Sequence, residues 1–137
     1  MVNPSDLNIQ VADYNLKTLK KFAKLFTRYN NFSAWTASEI LLCADKKQCF
    51  HNKPAVDVYS FGMILYELET GEVPFLSMDL RAVKKKLREQ MRPMILTSTH
   101  KRLANLIRRC WQDDSEMRPG FDEIEVLLQK CKFDQYA

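Results

Sequence analysis

Five stretches of the chain repeat apolar residues at helical spacing, and loops rich in polar residues separate them. In the longest, residues 56–68, apolar side chains surround almost the whole helical circumference instead of forming one stripe. Such a pattern is typical of a buried helix. Pro54 suits its first turn, where a missing N–H does no harm, and Gly71 suits the left-handed residue just past its end. The pattern therefore predicts a central helix of a globular core, with Asp57 near its buried start. There Asp57 is either a carboxylate that needs hydrogen-bond donors or a first-turn charge that interacts with the helix dipole.

Four further helices are predicted, each with one apolar stripe and one charged face. They cover residues 16–29, 78–90, 103–111 and 121–131. Residues 35–42 form a short apolar segment that contains Glu39. At the N-terminus, two short apolar pieces flank the turn-forming residues 3–6, which predicts a small hairpin. The expected fold is therefore mainly α with a short N-terminal β-hairpin, as one domain over residues 1–131 and a tail over 132–137.

The composition is that of an ordinary intracellular domain. The net charge of +4 is mild and comes from local clusters, chiefly the cations of residues 16–29 and 78–90. These clusters most simply form solvated faces, although a basic amphipathic helix can bind a membrane or an acidic partner. Nucleic acid is not favoured as a partner, and no segment suits a transmembrane span. The four cysteines lack metal-ligand spacing, which predicts reduced thiols and a cytoplasmic location.

Several motifs, taken in order, resemble eukaryotic protein kinases. The residues DVYSFG at 57–62, with EL at 67–68 and TGEVPF at 70–75, resemble the central C-lobe helix and the loop after it. The residues RP at 92–93 and CW at 110–111 with RP at 118–119 lie where tyrosine-kinase-like kinases carry such motifs. The residues WTASE at 35–39 resemble the end of the activation segment, and VADYN at 11–15 lies at the place of the DFG motif. The resemblance covers residues 2–128 and is closest to leucine-rich-repeat (Roco), Raf-like and integrin-linked kinases.

The resemblance implies a role for four residues. It makes Asp13 the magnesium ligand that helps to neutralise the transferred phosphate. It makes Asp57 an acceptor for backbone amides of a catalytic loop, which would supply the donors that a buried carboxylate needs. It pairs Glu39 with Arg118, whose planar guanidinium can bind a carboxylate through two parallel hydrogen bonds. Asp57, Glu39 and Arg118 are thus expected to be structural anchors rather than chemical groups.

Other parts of a kinase have no counterpart in the chain. It contains no glycine-rich phosphate loop, no candidate for the ATP-binding lysine with its glutamate, and no HRD-type catalytic loop. In family order these parts come before the hairpin, together with the N-lobe. We therefore expect ATP and magnesium to be used only by a full-length serine/threonine-type parent, and we expect the chain alone to hold no cofactor and catalyse no phosphoryl transfer.

Two departures from the family pattern keep an alternative open. Asn15 replaces the glycine of the DFG-type motif, and Ser38 replaces the proline of the APE-type motif. These departures beside a retained Asp13 fit either a divergent enzyme or a pseudokinase that acts as a scaffold, for example through the basic segment 17–28. Its partner would in either case be a protein. Four hydroxyl residues of the presumed activation segment are possible phosphosites: Thr18, Thr27, Tyr29 and Ser33.

Overall fold

Helices account for most of the regular structure in residues 34–44 and 53–134, the part of the chain that the structure, a computed structural model, describes. In chain order they are α1 (Ser38–Leu42), α2 (Lys53–Thr70), α3 (Leu80–Arg88), α4 (Lys101–Cys110), a 3-10 turn (Ser115–Met117) and α5 (Phe121–Asp134). These residues contain no strand, so the mainly helical class is confirmed for them. They all belong to a unit that spans Phe32–Ala137. The predicted hairpin and the helix at 16–29 lie outside the described residues.

Helix α2 is central, but it is not buried on all sides as predicted. Tyr59 and Met63 on its inner face have no exposed surface, whereas Ile64 is 43% and Leu68 77% exposed. Asp57 is also exposed, not buried. The prediction failed because an all-round apolar pattern shows which faces can be buried, while burial itself requires another element to cover each face.

Two groups of buried side chains hold the helices around α2. The larger group joins α1, α2, α3 and α4 and includes Tyr59, Met63, Leu87, Ile107 and Trp111. The smaller group joins α2, α4 and α5 through Val58, Leu106, Cys110 and Ile124. Each fully buried aliphatic side chain of this size contributes about 1.5–3 kcal/mol relative to exposure. The core therefore depends on the packing of the inner face of α2 against α4, because both helices contribute side chains to both groups.

Capping explains where the helices begin and end. Gly71 follows α2 with a φ of 72°, as its position in the sequence predicts. Its N–H donates a hydrogen bond to the backbone carbonyl of Glu67. Helix α3 begins at Leu80 rather than at residue 78, because the side chain of Asp79 accepts a hydrogen bond of 2.7 Å from the N–H of Ala82. The predicted helix was longer because periodicity alone does not mark a cap.

Helix α5 begins at Phe121, after Gly120, whose carbonyl accepts the first helical hydrogen bond from Ile124. The start predicted for this helix at residue 121 is therefore confirmed. The helix continues to Asp134, past the boundary predicted at residue 131. None of the helices in the described part is both long and apolar enough to cross a bilayer.

The cysteines differ from one another. Cys110 is a free, fully buried thiol whose burial raises its pKa to about 12, so it stays neutral and unreactive, as a packed thiol should. Cys43 is disulfide-bonded, which corrects the expectation that all four are reduced. A disulfide depends on how closely two cysteines approach in the folded chain, and sequence spacing does not report that distance.

Candidate functional site

Arg118 lies at the centre of the best-defined polar site in the described residues. It follows the 3-10 turn, and its side chain is completely buried. Its Nη1 and Nη2 atoms donate to the two carboxylate oxygens of Glu39 at 2.7 and 2.8 Å. Nη1 also donates to the carbonyl of Ala55 at 2.9 Å, and Nε donates to the carbonyl of Gln112 at 2.9 Å. One guanidinium thus joins α1, the start of α2 and the loop after α4.

The geometry of this pair is the bidentate one that the resemblance implies for Glu39 and Arg118. Burial raises the pKa of Glu39, but the hydrogen bonds and charge of Arg118 outweigh it, and the pKa lies below its ordinary value of 4.5. The glutamate side chain keeps 22% exposure, so the pair is only partly removed from water. The Oγ of Ser38 lies 3.4 Å from the same carboxylate. Serine at the position of the family's proline therefore leaves the ion pair intact.

Tyr59 lies between two guanidinium groups. The Cζ of Arg118 is 5.0 Å and the Cζ of Arg92 is 5.5 Å from the centroid of its ring. Arg92 is held in turn by the carbonyl of Trp111, at 3.1 Å from Nε, and by the carboxylate of Asp113. The arginines of both RP motifs therefore contact the same aromatic ring, and the electrons of the ring face attract their positive charge. Nothing in the spacing of these motifs predicted the shared ring.

The hydroxyl group of Tyr59 is buried and has no hydrogen-bond partner among the residues that the structure describes. Burial raises the pKa of Tyr59 to about 12 even though both arginines act to lower it, so the phenol stays neutral. We expect Tyr59→Phe to leave the free energy of unfolding unchanged or to raise it by up to about 1 kcal/mol, because it removes a desolvated polar group and keeps the ring. Urea denaturation measures this change. Tyr59→Leu is the control, and it should destabilise because both cation–π contacts are lost; a loss of stability in Tyr59→Phe would show that the hydroxyl has a partner.

A second polar contact ties the segment before α1 to the end of α2. The indole Nε1 of Trp35 donates to the carboxylate of Glu67 at 2.8 Å. The sequence pattern predicted no partner for Glu67. The only sign of this contact in the sequence was Trp35 itself, because a partly buried indole N–H needs an acceptor. Together with the pair between Glu39 and Arg118, this contact fixes residues 35–39 against the helical core.

The structure brings some predicted site residues together and leaves others apart. Glu39 and Arg118 are in direct contact, whereas Asp57 is exposed and its carboxylate accepts no hydrogen bond within the described residues. Because an exposed carboxylate is hydrated, Asp57 has no need of protein donors here. Its role as an anchor for a catalytic loop stays a prediction. The other predicted residues lie outside the described part: Asp13, Thr18, Thr27, Tyr29 and Ser33.

The contacts of Glu39 and Arg118 tie separate segments of the described residues together. No group of three histidine, cysteine, aspartate or glutamate side chains within them comes close enough to hold a metal ion. Two buried titratable groups, Tyr59 and Cys110, are held neutral by burial. What the arrangement does is clamp the segment containing Glu39 onto the start of α2 and the loop after α4.

Comparison with known proteins assigns this helical arrangement to a family. The family model for the protein tyrosine and serine/threonine kinases matches residues 1–128. A probable serine/threonine-protein kinase of Dictyostelium discoideum is 33% identical over 125 residues, which are 90% of this chain and 13% of that protein. The serine/threonine-protein kinase STY46 of Arabidopsis thaliana is 34% identical over 123 residues, 89% of this chain and 20% of that protein.

The dual specificity protein kinase pyk3 of Dictyostelium discoideum is 36% identical over 129 residues, 92% of this chain and 9% of that protein. The chain thus spans no more than a fifth of the length of these three curated relatives. The family match covers nearly the whole chain, and the ion pair between Glu39 and Arg118 joins two of the motifs that carry the resemblance. The chain therefore belongs to the protein tyrosine and serine/threonine kinase family.

Proposed function

We propose that these residues form part of the C-lobe of a tyrosine-kinase-like serine/threonine protein kinase. The complete polypeptide would transfer the terminal phosphoryl group of ATP to hydroxyl groups of protein substrates in the cytoplasm. The observation that carries the proposal is the buried bidentate pair of Arg118 with Glu39, which fixes the end of the presumed activation segment to the helical core. Two further kinds of observation support it: the relatives named above, and the RP motif arginines that share Tyr59.

Magnesium and ATP are assigned to residues beyond the described part. The described residues offer no metal-binding group, so they would contribute support rather than ligands. Asp13 is the proposed magnesium ligand, and when bound the metal would neutralise charge on the transferred phosphoryl group. Without a phosphate loop, an ATP-binding lysine or a catalytic base, these 137 residues alone are proposed to be inactive. Regulation by phosphorylation at Thr18, Thr27, Tyr29 or Ser33 belongs to the same proposal.

Nucleotide binding by the complete polypeptide tests this function. We expect millimolar ATP with magnesium to raise its melting temperature, because a ligand that binds only the folded state stabilises it. Asp13→Asn should reduce the rise and abolish phosphoryl transfer from labelled ATP to a serine- and threonine-containing protein. The matched control is Asp122→Asn, the same change at an exposed position in the first turn of α5, which should alter neither measurement.

The outcome separates the enzyme from the pseudokinase. If ATP gives no thermal shift with or without magnesium, and no phosphate is transferred, the enzyme proposal is wrong and the scaffold alternative takes its place. A thermal shift without transfer would indicate a nucleotide-binding pseudokinase. The intact contact of Ser38 with Glu39 favours neither alternative, because it concerns the architecture of the lobe rather than its chemistry.

A further inference from the structure

The charge of the chain is concentrated in one region. Residues 80–112 contain ten lysines and arginines and one carboxylate, Glu89, for a net charge of +9, whereas the whole chain carries +4. The remaining residues therefore carry a net charge of −5. Residues 80–112 comprise α3, α4 and the segment between them. A local excess of this size produces a positive potential that attracts anionic partners.

Most lysines and arginines of α3 and α4 point to solvent because the apolar stripes of both helices face the core. Val83 and Leu87 of α3 are buried, as are Leu106 and Ile107 of α4. The exposed lysines and arginines of the two helices are Arg81, Lys85, Arg88, Lys101, Arg102 and Arg108. Among the described residues, the side chains of Arg88 and Arg108 make no ion pair or hydrogen bond. Their charge is available to a partner.

An open cavity lies where the ends of α3 and α4 approach each other. Its volume is about 310 Å³, and its walls include Gln90, Ile95, Arg108, Trp111 and Gln112. Arg92 and Asp113 also line it, but they neutralise each other in an ion pair. The donors left for a ligand are therefore the guanidinium of Arg108 and the side-chain amides of Gln90 and Gln112, which suit a carboxylate.

An extended and apolar segment forms the rim of this cavity. Residues 91–96 have no helical or strand structure, and the exposed fractions of Met91, Met94 and Leu96 are 45%, 82% and 48%. The backbone N–H groups of Met94 and Ile95 donate no hydrogen bond within the described residues. Extended backbone with free amides can pair with an extended peptide, and exposed methionines adapt to different apolar side chains.

We propose that this surface, the basic cleft formed by residues 90–96 and the exposed cations Arg88 and Arg108, binds an extended acidic segment of a partner protein. Carboxylates of the segment would contact the two arginines and the glutamine amides. Apolar side chains on the same segment would cover Met94 and Leu96. The proposal concerns binding alone, so it does not depend on the proposed kinase activity.

Nucleic acid is a less suitable anion for the basic cleft. Single-stranded nucleic acids are commonly bound by exposed aromatic side chains on which the bases stack. Trp111 is the only tryptophan, tyrosine or phenylalanine in residues 80–112, and it is only 5% exposed. The rim instead offers methionine and leucine. These features favour a peptide that carries both carboxylates and apolar side chains.

Fluorescence anisotropy with the full 137-residue chain tests the proposal. The probe is a labelled peptide of about ten residues that alternates glutamate with leucine, so that in extended form one kind of side chain lines each side. The comparison ligands are the same peptide with lysine in place of glutamate, and a single-stranded oligonucleotide of similar charge. We expect the acidic peptide to bind, more weakly as salt is raised from about 50 to about 200 mM because screening weakens exposed charge pairs.

Three variants locate the binding site. Arg108→Glu should weaken binding about tenfold, because it replaces attraction in the cavity by repulsion. Met94→Ser should weaken it about fivefold through lost apolar contact while leaving the charge unchanged. Lys130→Glu is the matched control on α5, exposed and outside the basic cleft, and it should have no more than about a twofold effect. Circular dichroism checks that each variant is folded.

Each remaining result would overturn the proposal. Equal losses in Arg108→Glu and Lys130→Glu would mean that the peptide responds only to overall charge. If Met94→Ser does not change the affinity for the peptide, the apolar rim is not part of the binding site. Binding of the oligonucleotide as tight as that of the acidic peptide would make nucleic acid the partner. The absence of binding by the acidic peptide at low salt would leave no role for the cleft.

Discussion

Arg118→Ala is expected to lower the free energy of unfolding by about 3–5 kcal/mol, the loss typical when one partner of a buried ion pair is removed. Four hydrogen bonds disappear together, two to Glu39 and one each to the carbonyls of Ala55 and Gln112. Within the described residues the carboxylate then keeps only its longer side-chain contact with Ser38, and Tyr59 loses one of its two cations. Because Glu39 keeps 22% exposure, water can compensate part of the loss, and we expect the lower end of the range.

Arg109→Ala is the matched control for this change. Arg109 also forms an ion pair, with Glu123 at 2.7 Å, but the two side chains are 34% and 50% exposed. Exposed pairs are screened by water and salt and contribute little. Urea denaturation of both variants should therefore separate a large effect from a small one. Equal, small effects would mean that the pair of Arg118 and Glu39 does not hold the segment to the core.

The same pair predicts a pH dependence. The pKa of Glu39 is lower in the folded chain than its ordinary value of 4.5, so the stabilisation from ionised Glu39 is complete above that value. It is lost as the pH falls below 4.5 and through the lower pKa of the folded state, where the unfolded chain binds a proton more readily. Glu39→Gln should flatten the pH dependence in this window. An unchanged dependence would assign it to other carboxylates.

The spacing of apolar residues predicted where the helices lie better than it predicted which of their faces are buried. The stripes at Val83 and Leu87 and at Leu106 and Ile107 are buried as expected, since an amphipathic helix has one face to place against a core. Helix α2 was predicted to be buried all round, yet Leu68 is 77% exposed. The amino-acid pattern records which surfaces are apolar and contains no information on which element covers them.

The polar site depends on contacts between distant parts of the chain. Glu39 and Arg118 are 79 residues apart, and only the resemblance to a family suggested their pairing. The stacking of Arg92 and Arg118 on Tyr59 was missed, because each RP motif gives no sign of the ring that it approaches. Local signals such as the cap at Gly71 could be predicted from neighbouring residues, whereas these contacts arise only when α1, α2 and the loop after α4 are packed.

Gly62→Ala is expected to destabilise the chain by about 1–3 kcal/mol through overpacking. A Cβ atom at residue 62 would lie 2.7 Å from the Cβ of Cys110 and 3.6 Å from the carbonyl oxygen of Ile107. Two carbon atoms cannot approach that closely, so α2 and α4 would have to move apart. Movement of Cys110 would also shift Trp111, whose carbonyl accepts a hydrogen bond from Arg92. Alanine has the higher helix propensity by about 1 kcal/mol, which offsets only part of this strain.

Two comparisons show whether contact with Cys110 is the cause. Gly120→Ala introduces the same methyl group where no atom lies within 4 Å, so urea denaturation should show only the smaller cost of replacing glycine at the N-cap of α5. In a Cys110→Gly background the clashing Cβ is absent, and Gly62→Ala should then stabilise, because only the gain in helix propensity is left. Such a reversal of sign would show that α2 and α4 pack this closely because Gly62 has no side chain. Destabilisation of equal size in both backgrounds would instead assign the strain to the backbone at Ile107.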